Sequence, residues 1–213
     1  MIIGVVAGCV IALLGLTYVH LALPTQTLLS DYALVQGGML PVMIGMLALA
    51  AACLFLAYGL AVREPNKSAA ARVLLIVAGA GLMLSAVFPT DPHDGANTLG
   101  GEIHRWGAAM FFTALPVAGW VLARGREALA RWNAVRALSA TSAVALVVYL
   151  AAHPAALTSA WINGGAYYGF LERGLVAFEI VVIVAMALAA RTAVVQAAEE
   201  PGTQERPPLK LVA

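Results

Sequence analysis

Six long apolar blocks constrain this 213-residue chain more than any other feature of its sequence. Each holds about 20 residues with few charges, which is the length that an α-helix needs to cross about 30 Å of hydrocarbon. The ten-residue stretches of alternating polarity that a membrane β-barrel requires do not occur in the sequence. We therefore predict an all-α polytopic membrane protein with six transmembrane helices, at about residues 2–22, 39–62, 72–89, 104–123, 137–157 and 171–194.

Composition supports a single membrane domain. Hydrophobic residues make up 62% of the chain and charged residues 11%, and the mean hydropathy of +0.89 lies outside the range of soluble domains. The connections are short, so residues 1–195 are predicted to form one six-helix bundle. Residues 196–213 mix Glu, Pro and Gly without apolar periodicity and are predicted to be a disordered cytoplasmic tail.

The distribution of Lys and Arg predicts the orientation in the membrane. These residues concentrate in the second and fourth connections and near the C-terminus, and only Arg105 and Arg173 lie on the opposite side. By the positive-inside rule, both termini are expected to be cytoplasmic in a multi-pass protein of the cell membrane. The first block is too long for a signal peptide and lacks its basic leader, so it is predicted to be a true helix. A net charge of +1 gives no reason to expect nucleic acid as a partner.

Polar side chains collect at the membrane face that carries the first, third and fifth connections. The third connection is the most polar of these, with the sequence FPTDPHDGANTLGGEIHRW at 88–106. All four histidines are predicted to lie at this face, together with most of the acids. The ionisable residues concerned are His20, Asp31, Asp91, His93, Asp94, Glu102, His104, Arg105, His153, Glu172 and Arg173.

Helical spacing places further polar groups on shared faces. Ser142, Tyr149 and His153 are seven and four residues apart, so they form one stripe on helix five. Glu172 and Glu179 are also seven apart, which places Glu179 about two turns deeper in the membrane. A carboxylate at that depth is costly, so we expect it to be protonated, paired or facing a watery cavity.

Simpler structural explanations apply to several of these residues. Trp106 and Trp161 are typical of the aromatic belt at a membrane surface. His20 and His153 fit a hydrogen bond to a neighbouring connection as well as they fit a functional role. Glu172 and Arg173 can equally form a structural clamp to Asp31 or Asp91.

The order of short motifs resembles a known family. SDY at 30–32, FPTDP at 88–92, a histidine at 104 that opens a helix and ER at 172–173 occur in sequence. This order is similar to that of a family of six-helix bacterial and archaeal membrane proteins known only as a domain of unknown function. The resemblance covers about residues 5–194 and implies the six-helix fold without supplying a reaction. It singles out Asp31, Asp91, His104 and Arg173.

The mixture of imidazole and carboxylate groups suggests an enzyme that acts on a lipid or isoprenoid at the outer leaflet. Such groups can bind zinc and activate water for hydrolysis, or act as general acid and base without a metal. The candidate catalytic residues are Asp91, His104, Asp31, Asp94 and Glu172. The candidate substrate-binding residues are Arg173, Trp106, Tyr149 and Trp161. The candidate metal ligands are His93, His104, His153 and His20.

Other functions fit the same residues. In an apolar pocket, Asp91 and Asp94 could protonate an alkene and start terpene cyclisation, with aromatic faces stabilising the carbocation. A carrier, a lipid sensor or an accessory membrane subunit would use the polar cluster as a binding site or gate. The sequence does not identify a cofactor. Zinc fits the donor types, and b-type haem between histidines is the weaker hypothesis.

Overall fold

A computed structural model describes residues 1–92, 97–126, 128–154 and 156–199, with side chains up to Arg191. Every regular element in this part of the chain is a helix. Six helices are long and apolar enough to cross a membrane, which confirms the predicted all-α class and number of spans. They are α1 (Ile2–Ala22), α2 (Met39–Arg63), α3 (Ala69–Val87), α4 (Leu99–Ala123), α5 (Ala130–Ala152) and α6 (Gly164–Glu199). The orientation of the termini stays a prediction.

Consecutive helices pack against each other, and α6 closes the bundle by contacting α1, α2, α4 and α5. All six helices contribute to the core, which is mostly aliphatic and includes Leu56, Leu75, Leu115 and Ile183. Short connections between packed neighbours make them antiparallel, so alternate connections meet at one end. We call this end the odd-loop face; it holds the connections at residues 23–38, 88–98 and 153–163.

Helices α3 and α4 approach each other through two glycines. A Cβ atom placed on Gly107 would lie 2.6 Å from the Gly81 carbonyl oxygen and 2.7 Å from Ser85 Oγ. Small residues permit this close packing of membrane helices. The approach lets Ser85 Oγ donate a hydrogen bond of 2.9 Å to the His104 carbonyl oxygen. The packing therefore fixes the backbone of His104 beside the end of α3.

Three helix boundaries at the odd-loop face lie five or more residues from their predicted positions. Helix α4 begins at Leu99 instead of 104, because Thr98 caps it by accepting a hydrogen bond of 3.1 Å from the Gly101 amide. Helix α5 ends at Ala152 instead of 157, because Pro154 disfavours helical backbone at His153.

Helix α6 begins at Gly164, seven residues before the predicted start, after a turn in which Asn163 has a positive φ of 51°. Glu172 therefore lies two turns inside the helix and does not open it. Likewise, Glu102 lies in the first turn of α4 and not in a connection. Both differences arise because a membrane helix can extend beyond its apolar block into the polar headgroup region.

The substitution Gly107→Ala is expected to destabilise the bundle, because the new methyl group would collide with the backbone of α3. Overpacking of this kind costs about 1–3 kcal/mol. The unfolding temperature of the detergent-solubilised protein should therefore fall. Gly165→Ala provides the control, since no atom lies within 4 Å of a Cβ atom at that position. Unfolding of both variants at the wild-type temperature would show that the α3–α4 contact is looser than described.

Candidate functional site

A cavity of about 540 Å³ lies at the odd-loop face, bordered by all three odd connections and by α4, α5 and α6. It extends down to Thr113, 14 residues into α4, or about 21 Å along the helix axis. Its lower wall is largely apolar and includes Ala108, Phe112 and Leu146. The predicted site residues that line it are Asp31, Asp91, His104, Tyr149, His153 and Glu172.

The α4 side of the cavity reaches the surface of the bundle. Ala109 and Thr113, one turn apart on α4, both line the cavity and are both exposed, although they belong to a membrane-spanning helix. Exposed side chains at this depth face lipid. The cavity therefore offers a lateral route from the bilayer to the polar residues near the connections.

Asp91 lies directly after α3 and anchors the start of α4. Its carboxylate accepts hydrogen bonds from the Thr98 hydroxyl at 2.6 Å and the Thr98 amide at 3.3 Å, and it pairs with Arg105 at 3.2 Å. The Thr98 hydroxyl is the main cause that holds the pKa of Asp91 below its ordinary value of 3.8, and the Arg105 guanidinium lowers it further. Asp91 is therefore ionised at neutral pH. A Cβ atom at position 101 would overlap this carboxylate, so a larger residue there would displace it from its present position.

His104 is buried and its protonation pattern follows from its neighbours. Its Nδ1 atom lies 2.9 Å from the carbonyl oxygens of both Ser85 and Phe88. Carbonyl oxygens only accept hydrogen bonds, so we infer that Nδ1 carries the proton and donates to them. In the neutral ring, Nε2 is then the unprotonated nitrogen and the one able to act as a base.

Asp31 and Glu172 hold the first connection against α6. Asp31 lies in a short 3-10 helix, Ser30–Leu34, and its Oδ2 atom accepts a hydrogen bond of 2.9 Å from the Leu28 amide. Glu172 Oε2 accepts a bond of 2.6 Å from the Leu29 amide, and Asp31 is close enough to interact with it electrostatically. Both acids are buried and both also border the cavity. They combine a structural contact with a position in the candidate site.

Arg173 strengthens the same attachment and does not line the cavity. Its guanidinium donates to the carbonyl oxygens of Gln26 at 2.9 Å and Thr27 at 2.8 Å. The expected clamp of Glu172 and Arg173 thus exists, and it binds the backbone of the first connection.

An aromatic cluster forms the α5–α6 side of the cavity. The rings of Tyr149 and Tyr168 stack with centroids 4.6 Å apart and planes 7° from parallel. His153, immediately after α5, contacts the same Tyr168 ring edge-on at 5.3 Å. Tyr149 and His153 therefore share one side of α5, as their spacing predicts. Ser142, the third member of the stripe, donates a hydrogen bond of 2.8 Å to Glu179.

Besides Arg173, three more predicted site residues lie away from the cavity. His20 lines a separate groove between α1 and α6, and its Nδ1 atom is 3.2 Å from the Tyr32 hydroxyl. Trp106 is 70% exposed and Trp161 is 90% exposed. The structure does not bring these side chains to the site, and the two tryptophans occupy the exposed positions that an interfacial belt requires.

Two further predicted residues, His93 and Asp94, lie outside the described residues. Within the described ranges, no group of three or more His, Cys, Asp or Glu side chains is arranged to hold a metal ion. Since His93 is one of the four candidate ligands, the zinc hypothesis for His93, His104, His153 and His20 stays an untested prediction.

A family comparison places the chain among related proteins. The model of a family described as "Protein of unknown function (DUF998)" matches residues 1–189. The chain belongs to this family. The resemblance to a membrane protein family of unknown function is thus confirmed, whereas the FPTDP and histidine signature stays a prediction. The DUF998 match spans every residue that lines the cavity. No curated protein and no solved structure matches the chain.

Sequence reasoning missed two residues of the site in this DUF998 chain. Thr98 is absent from the predicted site residues, although a threonine before a helix is a common N-cap and that rule identifies it. Tyr168 is also absent from them. Its stacking on Tyr149 depends on how α5 and α6 pack, so no local signal could reveal it.

Replacing Asp91 by Asn should remove a pH-dependent contribution to stability. Because the folded-state pKa is lowered, the ionised group stabilises the protein above its ordinary pKa of 3.8 and loses this effect as the pH falls through the lower folded-state value. Unfolding temperatures should therefore be lower for Asp91→Asn than for wild type at neutral pH and should converge in acid below pH 3.8.

Glu102→Gln is the control for this experiment. Glu102 also pairs with Arg105, at 2.6 Å, but its side chain is half exposed and solvent screens the pair. We expect a smaller difference from wild type. A constant gap between wild type and Asp91→Asn down to the lowest pH would contradict an ionised anchor at position 91.

Proposed function

We propose that this membrane protein binds an amphiphilic lipid or isoprenoid in the cavity and hydrolyses a bond near its polar end, with His104 as the general base. The observation that carries the proposal is the arrangement of the cavity itself. A buried imidazole and three acids stand at its outer end, and an apolar wall leads from them to the lipid-facing surface.

The size and shape of the cavity support a lipid-derived ligand. Its volume of about 540 Å³ lies within the range of about 300–1,000 Å³ for small-molecule pockets. An apolar chain can contact Ala108, Phe112 and Leu146, while a polar head group lies near the connections. Entry beside Ala109 and Thr113 of α4 would let the ligand leave the bilayer sideways without crossing bulk water.

The surroundings of His104 suit a base that removes a proton from water. Nε2 would accept that proton as the water oxygen attacks the electrophilic carbon or phosphorus atom of the substrate. The carbonyl oxygens of Ser85 and Phe88 would keep the ring oriented and stabilise the imidazolium that forms. The proton would then pass from Nε2 to the departing oxygen. Arg105, which borders the cavity, is placed to stabilise negative charge in the transition state.

Hydrolysis suits Asp91 better than cyclisation does. Protonation of an alkene needs a carboxylic acid that keeps its proton at neutral pH. Asp91 is held ionised by Thr98 and Arg105, so it is suited to position α4 and Arg105 rather than to donate a proton. Asp31 and Glu172 can orient a polar head group through hydrogen bonds.

A non-enzymatic lipid sensor is the second candidate, and the attachment of the first connection to α6 favours it. Leu28, Ser30 and Asp31 of this connection line the cavity, and Glu172 and Arg173 bind its backbone. A ligand that displaced these contacts would release the connection from the bundle. Such a change could be transmitted to a partner without any turnover.

The substitution His104→Gln should abolish hydrolysis, because Gln cannot act as a base. General base catalysis contributes about 10²–10⁴-fold, so turnover should fall by at least about 100-fold. The assay would follow product release from a panel of lipid esters and isoprenyl phosphates by mass spectrometry.

His20→Gln is the matched control, because His20 lies outside the cavity. It should keep wild-type turnover. Retained turnover in His104→Gln would exclude His104 as the base. Specific lipid binding by the wild type without turnover of any panel member would favour the sensor.

Filling the cavity should block ligand binding independently of the chemistry. Ala108→Phe would occupy the apolar wall and should weaken lipid binding by roughly tenfold or more, equivalent to about 1.4 kcal/mol. Native mass spectrometry of the protein with added lipid measures this directly. Val117→Phe, on the exposed surface of the same helix, should bind lipid as the wild type does. Equal binding by both variants would show that the ligand site lies elsewhere.

A further inference from the structure

A second polar site lies between α5 and α6, below the cavity. Glu179 on α6 is fully buried, and its Oε1 atom accepts a hydrogen bond of 2.8 Å from Ser142 Oγ on α5. Its Oε2 atom has no hydrogen-bond partner among the described residues, and neither has the buried Ser139 Oγ one turn along α5. A buried polar atom without a partner costs free energy of folding, so we expect this site to have a function.

The site lies near the middle of the membrane. Glu179 is 15 residues after Gly164, the start of a 28-residue membrane span, and Ser142 is 12 residues after Ala130, the start of a 23-residue helix. Both positions are therefore close to the centres of their spans. Ionisable side chains at this depth are rare and usually functional.

The described groups around Glu179 provide no positive charge. On α2, Cys53 is close enough to interact with it electrostatically, and Cys9 of α1 lies close to Cys53. At the same depth α4 contributes the apolar Ala114 and Leu115. Of the described ionisable groups on α6 itself, Glu172 and Arg173 lie about two turns above. A lone carboxylate in such surroundings is strongly disfavoured relative to the neutral acid.

Glu172 is the acid of the cavity that lies on the same helix as Glu179. It lies seven residues earlier on the same side of α6, or about 10 Å along the axis. Between them, Val176 borders a smaller cavity of about 80 Å³ that is also lined by Glu172, Ser85 and His104. This volume exceeds the roughly 15 Å³ that a water molecule needs, and these polar groups offer it hydrogen-bond partners near Glu172. The residues that line it do not include Glu179, so the last step of a transfer to Glu179 passes Val176.

We propose that Glu179 is a proton-binding site in the interior of the membrane, and that Glu172 exchanges its proton with water in the cavity. A proton from water binds the Glu172 carboxylate, passes to Glu179 and neutralises it; the reverse transfer releases it. The described neighbours supply too few oxygen atoms for a metal cation, since Mg²⁺ takes about six ligands. Glu172 also borders the cavity, but the proton-binding site needs no turnover there and can exist in an enzyme or a sensor.

Infrared spectroscopy of the wild-type protein in lipid nanodiscs tests the site. A neutral carboxylic acid has a carbonyl stretching band that is separate from the amide bands. Glu179→Gln should remove this band, whereas Glu102→Gln, at an exposed position, should leave it. A spectrum without this band, or a band that survives in Glu179→Gln, would overturn the proposal.

The relay is tested by transfer from H₂O to D₂O, which shifts the carboxylic acid band as its proton exchanges. Glu172→Gln keeps an oxygen that can accept the Leu29 hydrogen bond but cannot carry the proton. Exchange should slow by roughly tenfold or more in this variant, equivalent to about 1.4 kcal/mol in the barrier. An unchanged exchange rate would exclude Glu172 as the relay.

Discussion

The structure depends on one constraint: inside hydrocarbon, polar groups must find partners within the protein. The six helices satisfy their own backbones in this way. At the odd-loop face, where helices end, the remaining carbonyl and amide groups are bound by side chains. His104 binds the end of α3, Asp91 binds the start of α4, and Glu172 and Arg173 bind the first connection. The candidate site therefore stands where the backbone itself needed polar partners.

The candidate site residues thus also hold the backbone of the helix ends. The sequence could predict the helices and the location of these residues, but it could not predict their backbone partners. Apolar blocks reveal the helices because the bilayer sets their length, but their ends at the odd-loop face extend into the headgroup region, where polar residues are tolerated. Convergence of Asp31, Asp91, His104 and His153 could be predicted from topology alone. The partner of Arg173 could not, because its acceptors are backbone carbonyls far away along the chain and carry no signature in the sequence.

Two polar sites lie at different depths in the protein and differ in their access to solvent. The cavity borders the connections at one end and exposed positions of α4, within the membrane span, at the other. Glu179, by contrast, lies where neither solvent reaches it in the structure, and only a proton is small enough to be exchanged there without moving a helix. A ligand in the cavity would stand above Glu172 and so control the access of water to the deeper site.

The attachment of the first connection to α6 has a consequence for sequence change. Glu172 and Arg173 bind main-chain atoms of residues 26, 27 and 29, and these atoms are present whatever the side chains are. Gln26 and Thr27 can therefore be exchanged for other residues without loosening the attachment. Proline is the exception at positions 28 and 29, because it lacks the amide hydrogen that Asp31 and Glu172 bind. The side chains of this connection can therefore vary, whereas its backbone amide groups must be kept.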